Sequence, residues 1–285
     1  MPLVPMTELL QDAQRRGYAV AGFTFINAET MQAIVHTARD LRSPALLMLG
    51  TWEMPLVGAR MAAEMARYLS EQVDVPVCLH LDHGPDLELA AECVEAGFSS
   101  VMIDASQLEF EGNVALTRQV YELAHPKGIS VEGELGAVGR ADGLSPEGMA
   151  EHSALTDPAA AAEYVERTGV DALALAIGNA HGIYTELPEL DFARLAAIRQ
   201  VVDCPLVLHG GSGTPKDQLR RAIEGGICKV NVASELSRAY LTTLVDQVQS
   251  AGGNIWWSRA VVPARDAVAE VVARWMQDSG CAGKA

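Results

Sequence analysis

Three of the seven histidines in this 285-residue chain, His83, His181 and His209, each stand just past an apolar run and directly before a glycine. Neutral imidazoles gathered at one point suit Zn²⁺ with an open coordination position, which leaves room for water or substrate. Three unrelated core histidines are the plain alternative. Four carboxylates occupy comparable positions at the ends of apolar runs: Asp82, Asp104, Glu132 and Glu134. Their mutual repulsion would be offset by a metal. Asp82 adjoins one candidate ligand and is placed to act as a general acid and base beside a bound substrate. Strand alternation puts Glu132 and Glu134 on one face, and for at least one of them a structural hydrogen bond accounts for its presence. His36, His125 and His152 fall on helix-like or loop-like stretches, where solvation explains them.

A second device lies downstream. Gly210-Gly211-Ser212-Gly213 runs into a helix that Thr214-Pro215 is expected to cap, so free backbone N–H groups and a helix dipole would face an anion there. Asn231 and Ser234 flank it from the following strand-like run. The formal net charge of −16 makes such a local device necessary, because the overall field repels anions. The same charge argues against nucleic acid as a partner.

The elements that must position these groups alternate regularly. Strand-like runs are read at 18–25, 45–49, 77–81, 101–103, 129–135, 172–177, 206–208 and 228–232, with helical spacing between them. Gly17 and Gly97 read as helix stops, and Asp157-Pro158 as a helix start. Eight strands alternating with eight helices make an α/β fold, a (β/α)₈ TIM barrel, the economical architecture, and a barrel needs about 250 residues. With 49% hydrophobic and 20% charged residues and no linker-like segment, residues 1–285 read as one domain. In a barrel, the three histidines converge on one rim. The irregular stretch from Gly136 to Thr156 is long enough to serve as a mobile lid after the fifth strand. A last helix after Gly252 carries Val268, Val271, Val272 and Trp275 on one face, and Trp256-Trp257 before it suit a subunit interface. No stretch reaches the roughly 20 apolar residues of a membrane span, and five cysteines without a paired spacing argue for reduced thiols, so a cytoplasmic protein is expected.

Five ordered motifs then resemble one family. They are His80-Leu81-Asp82-His83, Glu132-Gly133-Glu134-Leu135-Gly136, Ala176-Ile177-Gly178-Asn179-Ala180-His181-Gly182, Leu208-His209-Gly210-Gly211-Ser212-Gly213 and Lys229-Val230-Asn231-Val232. Together they resemble the class II, zinc-dependent ketose-bisphosphate aldolases, in particular the fructose- and tagatose-bisphosphate branch, across nearly the whole chain. The resemblance implies reversible retro-aldol cleavage of a ketose phosphate to dihydroxyacetone phosphate and an aldehyde. It implies that His83, His181 and His209 hold the catalytic Zn²⁺, which polarises the donor carbonyl and stabilises the enediolate, with Glu134 and Asp104 at alternative or second metal positions. By the same likeness Asp82 moves the proton at the cleaved bond. Gly182, Gly210, Gly211, Ser212, Asn231, Ala233 and Ser234 match the donor-phosphate pocket, where relatives also hold a monovalent cation, Na⁺ or K⁺. A homodimer or homotetramer is implied as well.

The departures from the pattern concern the other half of the substrate. The loop pattern Gly-Gly-x-Glu-Asp becomes Gly139-Arg140-Ala141-Asp142-Gly143, so the proton-transferring glutamate falls on Asp142, one methylene shorter. Phe-Asn becomes Phe23-Thr24, Tyr-Lys becomes Tyr184-Thr185, and an Asp-Pro-Arg segment becomes Trp256-Trp257-Ser258-Arg259. In relatives an arginine near that segment, lent by a neighbouring subunit, grips the second phosphate; here the nearest candidates are Arg259 and Arg265. The expectation is dihydroxyacetone phosphate as donor with an aldehyde other than glyceraldehyde 3-phosphate. The competing readings are a metal-dependent hydrolase on the same fold and a non-catalytic accessory subunit of a tagatose-type aldolase.

Overall fold

Apolar β-branched and leucine-rich runs that alternate with amphipathic helices have one compact solution, a parallel sheet closed on itself with the helices outside. The computed structural model describes residues 2–141, 154–184 and 187–285 and has this architecture. The parallel strands β1 (Val20–Thr24), β2 (Ala45–Gly50), β3 (Val77–Gly84), β4 (Ser100–Ile103), β5 (Ser130–Leu135), β6 (Ala172–Leu175), β7 (Leu206–Leu208) and β8 (Ile227–Val232) pair in sequence order, and β8 closes on β1. The helices are α1 (Met6–Arg16), α2 (Ala28–Asp40), α3 (Met54–Val57), α4 (Ala59–Ser70), α5 (Leu87–Ala96), α6 (Phe110–Ala124), α7 (Pro158–Thr168), α8 (Phe192–Arg199), α9 (Lys216–Glu224), α10 (Ser234–Ser250) and α11 (Trp257–Asp278). None of them is long and apolar enough to cross a membrane.

Local chemistry sets many of the helix ends. Asn27 and Thr30 form a reciprocal capping box on α2, while Asp86, Asp157 and Asp191 accept backbone N–H groups at the starts of α5, α7 and α8. Gly17 and Gly97 close α1 and α5 in the left-handed region, φ 67° and 102°. The helix expected before Gly17 is α1, which packs against β1, β3 and β8, and the expected last helix is α11, which packs across α10 and α2 beyond the eight-unit repeat. Two expectations change. β3 runs on to Gly84, so Asp82 and His83 belong to the strand rather than following it. Thr214-Pro215 supplies no side-chain cap, and α9 begins only at Lys216. The base of the expected lid is a short antiparallel pairing, Ala137 with Ala154, and residues 142–153, Asp142 included, lie outside the described residues.

The barrel interior is apolar except along one chain of ionisable groups. His80, Glu132 and Lys229 are fully buried on β3, β5 and β8. The Lys229 ammonium donates to Glu132 Oε2 at 2.7 Å and lies 3.2 Å from His80 Nε2, while His80 Nδ1 meets Ser100 Oγ at 2.8 Å. Burial disfavours a charged Glu132, yet the Lys229 ammonium and His209 hold it well below the ordinary carboxylate range. Removing one partner of a buried pair strands the other charge in a medium that cannot solvate it. Lys229→Met should therefore cost about 3–5 kcal/mol of stability, read as a fall in urea midpoint. The double variant Lys229→Met/Glu132→Gln should recover part of that loss, and equal midpoints for wild type and the single variant would refute the pairing.

Candidate active site

Alternation along β3 directs His80 and Asp82 inward and would direct His83 outward. His83 instead adopts φ 52°, at the place where the β3–β4 register shifts between Leu81 and Gly84. Its ring joins those of His181 and His209 at the carboxyl end of the barrel. The ring centres lie 4.8 Å (His83–His181), 4.6 Å (His83–His209) and 5.6 Å (His181–His209) apart. His181 follows β6 and is held by its own backbone: His181 N donates to Gly139 O, and Ala141 N donates to His181 O, each at 2.8 Å. His209 follows β7 and is fully buried.

Carboxylates fix which nitrogens face the centre. His83 Nδ1 is 2.7 Å from Asp104 Oδ2, and Asp104 is held in turn by the Ser106 hydroxyl and N–H. His209 Nε2 is 2.9 Å from Glu132 Oε1. With those outer nitrogens engaged by carboxylates, His83 Nε2 and His209 Nδ1 face each other at the centre, 2.8 Å apart. His181 Nε2 is buried with no hydrogen-bond partner, and so is Glu134 Oε2. Glu134 Oε2 lies 3.8 Å from His209 Nδ1 and 4.0 Å from His83 Nδ1. Two overlapping groups, His83 with His181 and His209, and His83 with Asp104 and Glu134, bring ligand atoms within 4.8 Å of one another. Burial and the Asp104 charge push Glu134 up to about 8; against opposing burial, Asp82 and Asp104 push His83 up to about 10. Nitrogen and carboxylate ligand atoms that converge on one point, with an orphaned imidazole nitrogen among them, fit a divalent cation.

Asp82 is buried beside this cluster and accepts a hydrogen bond from Asn231 Nδ2 at 2.9 Å. Although burial opposes its ionisation, the His83 and His209 charges keep Asp82 below the ordinary value, so it is a carboxylate. Asn231, grouped by sequence with the phosphate residues, thus spends its amide on Asp82. The glycine-rich turn is also more self-occupied than expected. Gly211 N donates to Asn231 O at 2.8 Å and Gly213 N to Glu235 Oε1 at 2.8 Å, so neither is a free donor. Gly210 holds φ 66°, and a Cβ there would lie 1.9 Å from Ala180 O, so the turn needs glycine to pass the His181 segment. The helix end that reaches the site is that of α10, because Ala233 and Ser234 line the cavity above the histidines and no residue of α9 does. Gly182, with φ 92°, follows His181 directly.

The cavity measures about 410 Å³ and continues away from the histidines to Thr24, Trp52, Glu53 and Arg140. Thr24 keeps a buried hydroxyl without a hydrogen-bond partner. Sequence reasoning quoted Lys229 within a motif but gave it no role; the signal was a lone ammonium in a six-residue strand, in alternation register with Asn231. It also missed Trp52 and Glu53, which sit just past β2 and before α3 and belong to no motif. Arg259 and Arg265 do not line this cavity, and Arg265 pairs with Asp266.

Against known proteins, the profile of the family described as fructose-bisphosphate aldolase class-II matches residues 4–284. The chain is 41% identical, over all of its length and 99% of the relative, to the fructose-bisphosphate aldolase of Geobacillus stearothermophilus. It is also similar to the crystal structure of the YdjI aldolase of Escherichia coli K12, at TM-score 0.88 and 35% identity over 99% of both chains. A match over essentially the whole barrel shows that the chain belongs to the class-II fructose-bisphosphate aldolase family and is a ketose-bisphosphate aldolase, a carbon–carbon lyase.

Proposed function

We propose that the site cleaves a ketose phosphate to dihydroxyacetone phosphate and an aldehyde, with Zn²⁺ held by His83, His181 and His209. The observation that carries this reading is the convergence of three ring nitrogens, one of them, His181 Nε2, buried without a partner. Zinc bound there would polarise the donor carbonyl and take up negative charge as the carbon–carbon bond breaks. Glu134 and Asp104 stand ready as alternative ligands beside His83.

The remaining steps belong to the chain itself. Asp82, ionised and oriented by the Asn231 amide, takes the proton from the hydroxyl at the cleaved bond and returns it in the reverse direction. The start of α10 at Ala233 and Ser234, which line the cavity, holds the donor phosphate with Gly182, Gly210 and Ser212 behind it and Gly211 shaping the turn through its bond to Asn231 O, aided by a Na⁺ or K⁺ ion. Asp142 is assigned the proton transfer at the donor carbon. We further infer that residues 1–285 act as one barrel domain, joined into a homodimer or homotetramer through the exposed Trp256 and Trp257. Five free cysteines, four of them buried, support a cytoplasmic setting.

His181→Ala removes a ligand with no partner among the described residues beyond the cluster, so bound zinc should fall to well below one per chain by elemental analysis while the melting temperature of the apo form changes little. Full zinc occupancy in that variant would reject the ligand set. Asp82→Asn should keep its zinc and lose about 10²-fold or more in turnover, followed as dihydroxyacetone phosphate released from fructose and tagatose 1,6-bisphosphates. Near-normal turnover would move the proton transfer to another group.

A further inference from the structure

The inward position at the end of β2 is a glycine, and another residue fills the space that it leaves. Gly50 pairs in register with Asp82 on β3, so the two stand side by side on the face that looks into the mouth. Among the described residues, a Cβ on Gly50 would meet only the Glu53 carboxylate, with Oε2 at 2.7 Å. That carboxylate therefore lies over the end of β2, in the place that a side chain beside Asp82 would take. Glu53 lines the cavity together with Gly50, Asp82 and His83. Burial raises its pKa and the Asp82 charge raises it further, while its own backbone N–H is the one group that opposes this. Among the described residues no cation and no other side chain is bonded to it.

Thr24 continues the same wall. It pairs with Met48, two residues before Gly50, at the carboxyl end of β1; it lines the cavity and keeps its buried hydroxyl without a partner. Buried polar groups of this kind are costly unless a ligand engages them. The chemistry at Asp82 fixes which atoms reach this wall. Asp82 is assigned the hydroxyl at the cleaved bond, on the first carbon of the aldehyde half. A donor half anchored at α10, after β8, and reacting over the histidines of β3, β6 and β7 leaves the aldehyde half beside Asp82 and Gly50. The next carbon of that half then faces the Glu53 carboxylate, and a hydroxyl on it can donate to Glu53.

We propose that Glu53 is a specificity residue that accepts the hydroxyl on the second carbon of the aldehyde half, with the Thr24 hydroxyl in the same wall, so that the site selects 2-hydroxyaldehydes. This rests on the zinc and dihydroxyacetone phosphate reading of the same site. A charged acceptor makes a stronger hydrogen bond than a neutral one, and a site built around it rejects the analogue that lacks the hydroxyl, because the acceptor is then buried and unpaired.

Condensation of dihydroxyacetone phosphate with lactaldehyde and with propanal tests it, since the two acceptors differ by that one hydroxyl. With zinc-loaded wild type, kcat/KM for the better enantiomer of lactaldehyde should exceed that for propanal by about tenfold or more. In Glu53→Leu the ratio should fall to near unity through lactaldehyde alone, while kcat/KM for propanal and the KM for dihydroxyacetone phosphate change little. Glu53→Gln, which keeps an acceptor oxygen without the charge, should give an intermediate ratio. A wild-type ratio near unity would overturn the assignment, as would a ratio that survives in Glu53→Leu. Equal losses on both acceptors would show a merely structural role and overturn it as well. Absence of condensation with either acceptor in zinc-loaded wild type would instead overturn the underlying reading of the site and this inference with it.

Discussion

The site depends on a single electrostatic problem, the packing of imidazoles and carboxylates at a barrel mouth too dry to solvate their charges. Asp104 and Glu132 settle the orientation of His83 and His209 by engaging the outer nitrogen of each ring. The same bonds raise the basicity of the inward nitrogens, the usual service of a carboxylate behind a metal-binding histidine. Glu132 can stay ionised in the barrel interior only because Lys229 compensates it, and Lys229 is accommodated because His80 stays neutral, pushed down to about 3 by burial and by the Lys229 ammonium. Stability and ligand geometry therefore meet in one buried chain of contacts from Ser100 to His209.

An acidic protein that handles a phosphorylated substrate must create positive potential locally. The net charge of −16 opposes long-range capture, so the burden falls on groups effective only at contact. Much of the glycine-rich turn is consumed in holding itself against β8 and Glu235. Gly210 lets the chain pass within contact of the Ala180–His181 backbone, and Gly211 lets it lie against Asn231 O on β8. The start of α10 then supplies the dipole end at the cavity. Division of labour between a tightly routed turn and a neighbouring helix end accounts for the presence of both after adjacent strands.

The barrel was legible because its signal is periodic and redundant: eight apolar runs, capping aspartates and helix-stopping glycines all point to the same alternation. The three histidines and four carboxylates were legible because a polar group that ends a buried strand must either pair inside the protein or face a ligand at the rim. What escaped was whatever depends on partners distant in sequence. Lys229 reads as an anomaly inside β8 until Glu132, 97 positions away, is seen to face it. Asn231 was read by its neighbours in sequence, while its actual partner is Asp82 on β3. The choice between α9 and α10 as the helix end at the mouth could not be made from Thr214-Pro215, because both follow a strand with suitable residues and only three-dimensional direction separates them. Trp52 and Glu53 come from a loop that belongs to no motif, and loop residues carry no periodicity to betray their direction.

The pairing of Asp82 with His83 shows how backbone strain serves this chemistry. Adjacent residues of a regular strand point to opposite sides of the sheet, so an undistorted β3 would bury Asp82 in the mouth and send His83 toward the surrounding helices. The register shift before Gly84 and the left-handed backbone at His83 bring both side chains to the same cavity. A non-glycine residue in that region costs on the order of 1–3 kcal/mol. The offset comes from what the distortion permits, a short bond from His83 Nδ1 to Asp104 and a continued strand in which Asp104 N donates to Gly84 O at 2.9 Å. Gly84 is required for this, since a Cβ there would lie 2.6 Å from Met102 O on β4. The proton-handling carboxylate and a metal-binding imidazole thus occupy consecutive positions because the strand is broken at one residue, and the glycine that follows lets the sheet close again.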